Sequence, residues 1–143
     1  MGNNCVLELD FAIDDTGNVA PNHAQAYKGL GDWARACYGT AVAEADVHTS
    51  QNVYNMSFSQ TEVDRFILQE VVEQGERVRA WTLDLQTSDG VWHPFGKGTV
   101  IGQKQIVLGT ALSAVGASLT ISSAAAAPAM AAFQVFAPCP SSY

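Results

Sequence analysis

The sequence predicts a mainly β protein: an antiparallel β-sandwich preceded by one strand–helix unit. Three observations carry this. Short runs rich in β-branched and aromatic residues recur in the second half, separated by glycine-containing turns. The first forty positions instead pass from a short apolar run to a helical stripe. With 143 residues, 48% apolar and 15% charged, the chain has ample core for one domain and no sign of wholesale disorder.

Cys5-Val6-Leu7-Glu8-Leu9-Asp10-Phe11 is short and largely apolar, which suits a strand covered on both faces. Asp14-Asp15-Thr16-Gly17-Asn18 reads as a turn, since Asp and Asn bond their own backbone and Gly accepts left-handed geometry. Pro21 fits the first position of a helix, where its missing N–H costs nothing. Tyr27, Leu30, Ala34 and Cys37 then recur at helical spacing beside Trp33, and Gly39 follows as a C-terminal cap. A strand leading into one helix is half of an α/β unit. Neither element can bury its own faces alone.

Residues 41–56 read as a polar linker. Strands follow at Arg65–Gln69, Arg77–Gln86, Val91–Phe95, Gln105–Leu108, Leu119–Ile121 and Phe133–Phe136. Gln74-Gly75, Ser88-Asp89-Gly90, Gly96-Lys97-Gly98 and Gly102 punctuate them. The Ala-rich stretch Ser122–Ala132, interrupted by Pro128, is expected to be a loop. The chain thus divides into 1–40, 41–56 and 57–143.

Seven Lys and Arg against fourteen Asp and Glu give a net charge of −7. That balance argues against nucleic acid, whose phosphates need a basic face, and against anionic membrane surfaces. No apolar run approaches the ~20 residues of a spanning helix. The N-terminus shows no basic stretch leading into an apolar one, so no signal peptide is read from it. Cys5, Cys37 and Cys139 have no short spacing, which excludes a CxxC-type metal or redox site. One disulfide can form among them, but three buried or idle thiols is the preferred expectation.

Several motifs together resemble a known family. Asn4–Leu9, Asp15-Thr16-Gly17, Pro21, Leu30-Gly31-Asp32-Trp33 and Tyr38-Gly39-Thr40 resemble the end of the catalytic barrel of α-L-fucosidases, glycoside hydrolase family 29. Leu68–Val78, Trp92–Phe95, Gly98–Gly102 and Lys104 resemble the same family's C-terminal β-sandwich, in its order and spacing. The chain departs from the family at Val71 and Gln105, and lacks a basic residue before Leu119-Thr120-Ile121.

The resemblance implies the last strand–helix unit of a (β/α)8 barrel (a TIM barrel), followed by a galactose-binding-like, jelly-roll type sandwich. It implies a parent enzyme that hydrolyses terminal α-L-fucosyl linkages of glycans with retention, without cofactor or metal. Retention needs two carboxyl groups about 5–5.5 Å apart. The family carries them upstream of the matching segment, so this chain alone is expected to hold no catalytic residue and no activity. The family is typically secreted or lysosomal.

Asp10 and Phe11, at the C-terminal end of the barrel strand, are the candidates for the substrate rim, the face where barrel enzymes place their chemistry. Asp14 and Asp15 read as solvated turn residues. Trp92 and His93 are candidate carbohydrate contacts, although a core Trp with His93 at the rim is the plainer reading. Glu44-x-Asp46-x-His48 alternates like strand-borne ligands, yet reads as charged linker, and no metal is assigned. The expected partner is a fucosylated glycan, reached through the parent enzyme. The unpaired strand–helix unit also offers a surface for self-association. The competing reading is a free-standing carbohydrate-binding or interaction sandwich.

Overall fold

The computed structural model describes residues 4, 5, 7–48, 50–73 and 75–140. Six antiparallel strands and one helix make it up: α1 (Pro21–Tyr38), β1 (Ala43–Glu44), β2 (Val53–Glu70), β3 (Val78–Gln86), β4 (Trp92–Gly98), β5 (Gln105–Ala124) and β6 (Met130–Phe136). The protein is mainly β, as expected.

Period-two burial builds the sheet. In β3, Trp81, Leu83 and Leu85 are buried at alternate positions, with Thr82 exposed between them. Strand order is β1-β6-β2-β5-β3-β4. β2 and β5 are 18 and 20 residues long and pair from Val53↔Thr120 to Leu68↔Gln105. β6 adds to the C-terminal half of β2, and β3 to the C-terminal half of β5. Register shifts at Ser57/Thr61 and Val63/Arg65 bend this central ribbon, so the sheet turns over on itself. Across the core Phe66 of β2 meets Phe95 of β4 edge-to-face, centroids 5.0 Å apart.

Glu70 holds the closed end. It is 3% exposed. Its Oε1 accepts the backbone N–H of Arg77 and Val78, at 2.9 and 3.0 Å, and its Oε2 accepts that of Gly102 at 2.8 Å. One carboxylate thereby joins β2, the start of β3 and the loop before β5.

Several expectations need correction. Residues 7–12 form no ladder, and Val6 lies outside the described residues. The one pairing nearby is the bridge Ile13↔Val19, which closes the Asp14–Asn18 turn. Among the described residues no strand lies alongside 7–12 to bond it. The 41–56 segment is not wholly linker: β1 pairs with β6, and β2 already starts at Val53, with Tyr54 and Met56 in the core. The two short strands expected at Gln105–Leu108 and Leu119–Ile121 are the ends of one strand, β5. The expected loop 122–132 shrinks, since β5 runs to Ala124 and β6 starts at Met130. Gly96 and Gly98 lie inside β4, not in a turn. A Cβ on Gly98 would stand 2.6 Å from the Trp81 indole, so the strand needs glycine to let that ring lie against it. The turn at Gly90 (φ 86°) is as expected, while Gln74 lies outside the described residues.

The cysteines are not three idle thiols. Cys37, at the end of α1, is disulfide-bonded to Cys139 beyond β6, across 102 residues, and Cys5 is free and exposed. Cys37 is the one buried residue of the helix. Beside the bridge, Tyr38 stands edge-on to Phe136, and the buried Arg65 guanidinium lies 5.4 Å from the Tyr38 ring centroid. Arg65 also donates to Cys139 Sγ and pairs with Asp64 at 2.7 Å. The helix meets the outer face of β2 and β6 through this end.

Candidate functional site

Asp10 and Phe11 sit on the exposed N-terminal arm. Phe11 stacks on Tyr27 of α1, centroids 3.7 Å apart, and the Tyr27 hydroxyl donates to the Asp10 carbonyl at 2.6 Å. The arm is therefore fixed to the helix by a ring and a main-chain bond. Leu7, Leu9, Phe11 and Ile13 nonetheless remain 53%, 44%, 46% and 66% exposed, so four successive alternate positions turn apolar side chains to solvent. A cleft of about 190 Å³ between Leu9, Ala26, Tyr27 and Leu30 continues this surface onto the helix.

Asp14 is spent on the turn. Its Oδ1 accepts the Thr16 hydroxyl at 2.7 Å and the Thr16 and Asn18 N–H groups at 2.9 Å. Those bonds, led by the Thr16 hydroxyl, hold its carboxyl below the usual aspartate range. Such a group stays ionised and serves as an anchor.

Trp92 and His93 do not form one site. Trp92 pairs with Gln86 and His93 with Leu85, so they point to opposite faces of β4. His93 Nε2 lies 3.2 Å from the Thr87 hydroxyl and borders a cleft of about 270 Å³ with Thr110 and Leu112. Trp92 is 46% exposed on the outer face, not a core residue. Asp89 beside this turn accepts the Thr87 hydroxyl at 2.5 Å and the Val91 N–H at 3.2 Å, and its carboxyl is lowered, chiefly by Thr87.

On the outer face, one register row from Trp92, lies a shallow cavity of about 480 Å³. It is lined by Thr82 and Asp84 of β3 and by Pro94, Phe95, Gly96 and Lys97 of β4. The sequence reading missed Asp84 and Lys97, because only strand pairing joins them. The period-two pattern Thr82-x-Asp84-x-Gln86 is the signal that could have put those three on one face.

Glu44, Asp46 and His48 do not converge. Glu44 accepts Gln134 Nε2 at 3.1 Å, while Asp46 caps the His48 N–H at 3.0 Å. Among the described residues no three His, Cys, Asp or Glu side chains are grouped to hold a metal ion. No helix among them is long and apolar enough to cross a membrane.

No protein-family profile matches this sequence, and no curated protein does. Solved structures do. A candidate α-L-fucosidase from Bacteroides ovatus superposes with a TM-score of 0.84 at 24% identity, over 97% of this chain and 25% of that one. The fold is shared with fucosidases. A glycoside hydrolase 29 family member from an unknown rumen bacterium gives a TM-score of 0.82 at 23% identity, over 97% of this chain and 26% of the other. The Ruminococcus gnavus family 29 fucosidase, solved with fucose, gives 0.79 at 16% identity, over 95% and 34%. The likeness is one of fold. This chain spans about a quarter to a third of the length of these three structures.

Proposed function

We propose that this chain is the C-terminal part of an α-L-fucosidase-like retaining glycoside hydrolase. In this reading residues 1–40 are the terminal strand–helix unit of its (β/α)8 barrel, and the sheet after them is its C-terminal sandwich. The observation that carries it is the exposed apolar arm. Leu7, Leu9, Phe11 and Ile13 alternate like a buried strand, yet among the described residues no strand flanks them and the helix cleft beside Leu9 and Leu30 is open. Burying one such side chain is worth about 1.5–3 kcal/mol, so a chain that leaves four uncovered is built for further neighbours. The fold likeness, covering most of this chain and a minor part of each fucosidase, supports the same reading.

In such an enzyme the two carboxyl groups of the reaction, one attacking and one protonating the leaving oxygen, come from barrel strands outside this chain. Asp10 and Phe11 would stand at the C-terminal end of the last barrel strand and line the rim of the sugar pocket. The substrate would be a fucosylated glycan, and this chain's part would be to close the barrel and cap it.

The test compares this chain with the gene product extended upstream in frame. The extended protein should release L-fucose from an aryl α-L-fucoside with retained configuration, read by NMR of the first-formed anomer. The 143-residue chain should show no turnover. Turnover by the short chain that a single carboxylate substitution abolishes would overturn the reading. So would an extended protein that lacks barrel strands.

A further inference from the structure

We propose that the outer face of the β3–β4 hairpin binds a neutral pyranose sugar in the cavity beside Trp92. The inference rests on the chemistry of that face and not on the fucosidase reading. The cavity, about 480 Å³, falls within the roughly 300–1,000 Å³ of small-molecule sites. Its lining joins Pro94 and the backbone around Phe95 and Gly96 to Thr82, Asp84 and Lys97.

Two features make it a site instead of ordinary surface. Asp14, Asp32, Asp46, Asp64 and Asp89 spend their carboxylates on nearby donors, and Asp10 and Asp15, whose carboxylates have none, are exposed. Among the described residues, the side chains of half-buried Asp84 and exposed Lys97 have no hydrogen-bonding or ion-pair partner. A carboxylate without a protein donor is free to accept the hydroxyls of a ligand. The second feature is Trp92, nearly half exposed and two positions from Pro94 on the same face. Trp92 does not line the cavity but flanks it through Pro94, its neighbour on the same strand face, and an exposed aromatic ring at such a margin matches a pyranose, which presents C–H groups on one face and hydroxyls around its edge.

The charge pattern favours a neutral ligand, since one carboxylate and one ammonium cancel in the cavity lining. The strand itself disfavours a peptide. β4 is an edge strand, but Pro94 within it offers no N–H, so an added strand cannot complete its ladder there.

The experiment is an amide and indole NMR titration of the full chain with the methyl glycosides of L-fucose, D-galactose and D-glucose, with glycerol as the control polyol. At least one glycoside should shift the Trp92 indole N–H and the Thr82, Asp84 and Lys97 amides saturably. Trp92→Ala and Asp84→Asn should each weaken that binding about tenfold or more, the scale of losing one charge-assisted contact. Both positions lie outside the core, and unchanged shifts for the β2 and β6 amides confirm that the variants fold. No saturable shift with any glycoside, equal shifts with glycerol, or binding that survives both substitutions would each overturn the proposal. So would shifts along β4 that depend on protein concentration alone, which would mark a second copy of this chain as the occupant. Failure here leaves the fucosidase reading standing, because that reading rests on the N-terminal arm.

Discussion

Breaking the Cys37–Cys139 bridge should cost a large share of this chain's stability. The two residues are 102 apart in sequence, so reduction frees a loop that spans most of the protein. In the chain-entropy account a loop of that size contributes about 4.7 kcal/mol, and removing native disulfides from small domains costs about 2–5 kcal/mol. Whole domains are stable by roughly 5–15 kcal/mol, so about 4.7 kcal/mol is close to half of a mid-range total. The setting adds to the loss. Cys37 is 3% exposed, Arg65 donates to the Cys139 sulfur, and Tyr38 packs on Phe136, so all of these contacts loosen together.

The assay is urea unfolding of the oxidised chain, the reduced chain and the Cys37→Ala/Cys139→Ala variant. With a slope of about 1–3 kcal/mol per molar urea, the midpoint should fall by about 2 M in both altered forms. Thiol titration of the unfolded, unreduced chain should find Cys5 alone reactive. Equal midpoints with and without reductant, or three reactive thiols before reduction, would refute the reasoning. Loss of amide protection confined to α1 would show instead that the bridge anchors the helix without supporting the sheet.

Other outcomes follow from the same geometry. Glu70→Gln leaves one acceptor oxygen where a carboxylate now takes three backbone N–H groups, and should cost about 2–4 kcal/mol in denaturant unfolding. Gly98→Ala drives a Cβ into the buried Trp81 indole; it should cost about 1–3 kcal/mol and change the tryptophan emission, because overpacked cores must shift. Asp89, held low chiefly by the Thr87 hydroxyl, should titrate by NMR below the ordinary aspartate value of about 3.9. A lowered folded-state pKa means its contribution is present above the ordinary value and lost as pH falls through the lowered one. Thr87→Val should move that titration back up. Finally, the exposed apolar arm should make this chain self-associate with concentration in sedimentation, and Leu7→Ser/Leu9→Ser should abolish the effect; a monomer at all concentrations would show the arm to be tolerated as it stands.

The legible parts of the fold were those where burial alternates between large and small or polar side chains. β3 is one, with Trp81, Leu83 and Leu85 on its inner face. The start of β2 carries the same alternation, Tyr54 and Met56 against Asn55 and Ser57, but its polar half resembles a connector in composition. The middle of β5 was hidden for a different reason. Ala114 and Ala117 are fully buried beside Gly116, and small residues carry little strand signal. No spacing rule reveals a bridge across 102 residues, since only the fold brings Cys37 and Cys139 within 4.8 Å at their Cα atoms. At the hairpin cavity, Trp92 was readable as an aromatic near a turn. Asp84 and Lys97 were not, because their place on one cavity depends on the β3–β4 register and its bulge at Leu83/Asp84.

The N-terminal arm shows how a sequence pattern and a fold can disagree without either being at fault. Its two ends are held. Asn4 exchanges bonds with Ile101 and Lys104, and the far end of α1 is stapled at Cys37. Between those points the chain touches the sheet little, and its apolar residues face outward. Had the arm been free to collapse, four alternating apolar side chains would gain several kcal/mol by folding onto the sandwich. They do not: Leu7, Leu9, Phe11 and Ile13 stay exposed, while the outer face near the helix end carries Arg65, Phe136 and the disulfide. The sandwich therefore offers the arm anchorage but no cover. An element with fixed ends and an uncovered apolar middle is shaped by contacts outside itself, and parallel strands on its two edges would supply both the missing hydrogen bonds and the missing burial.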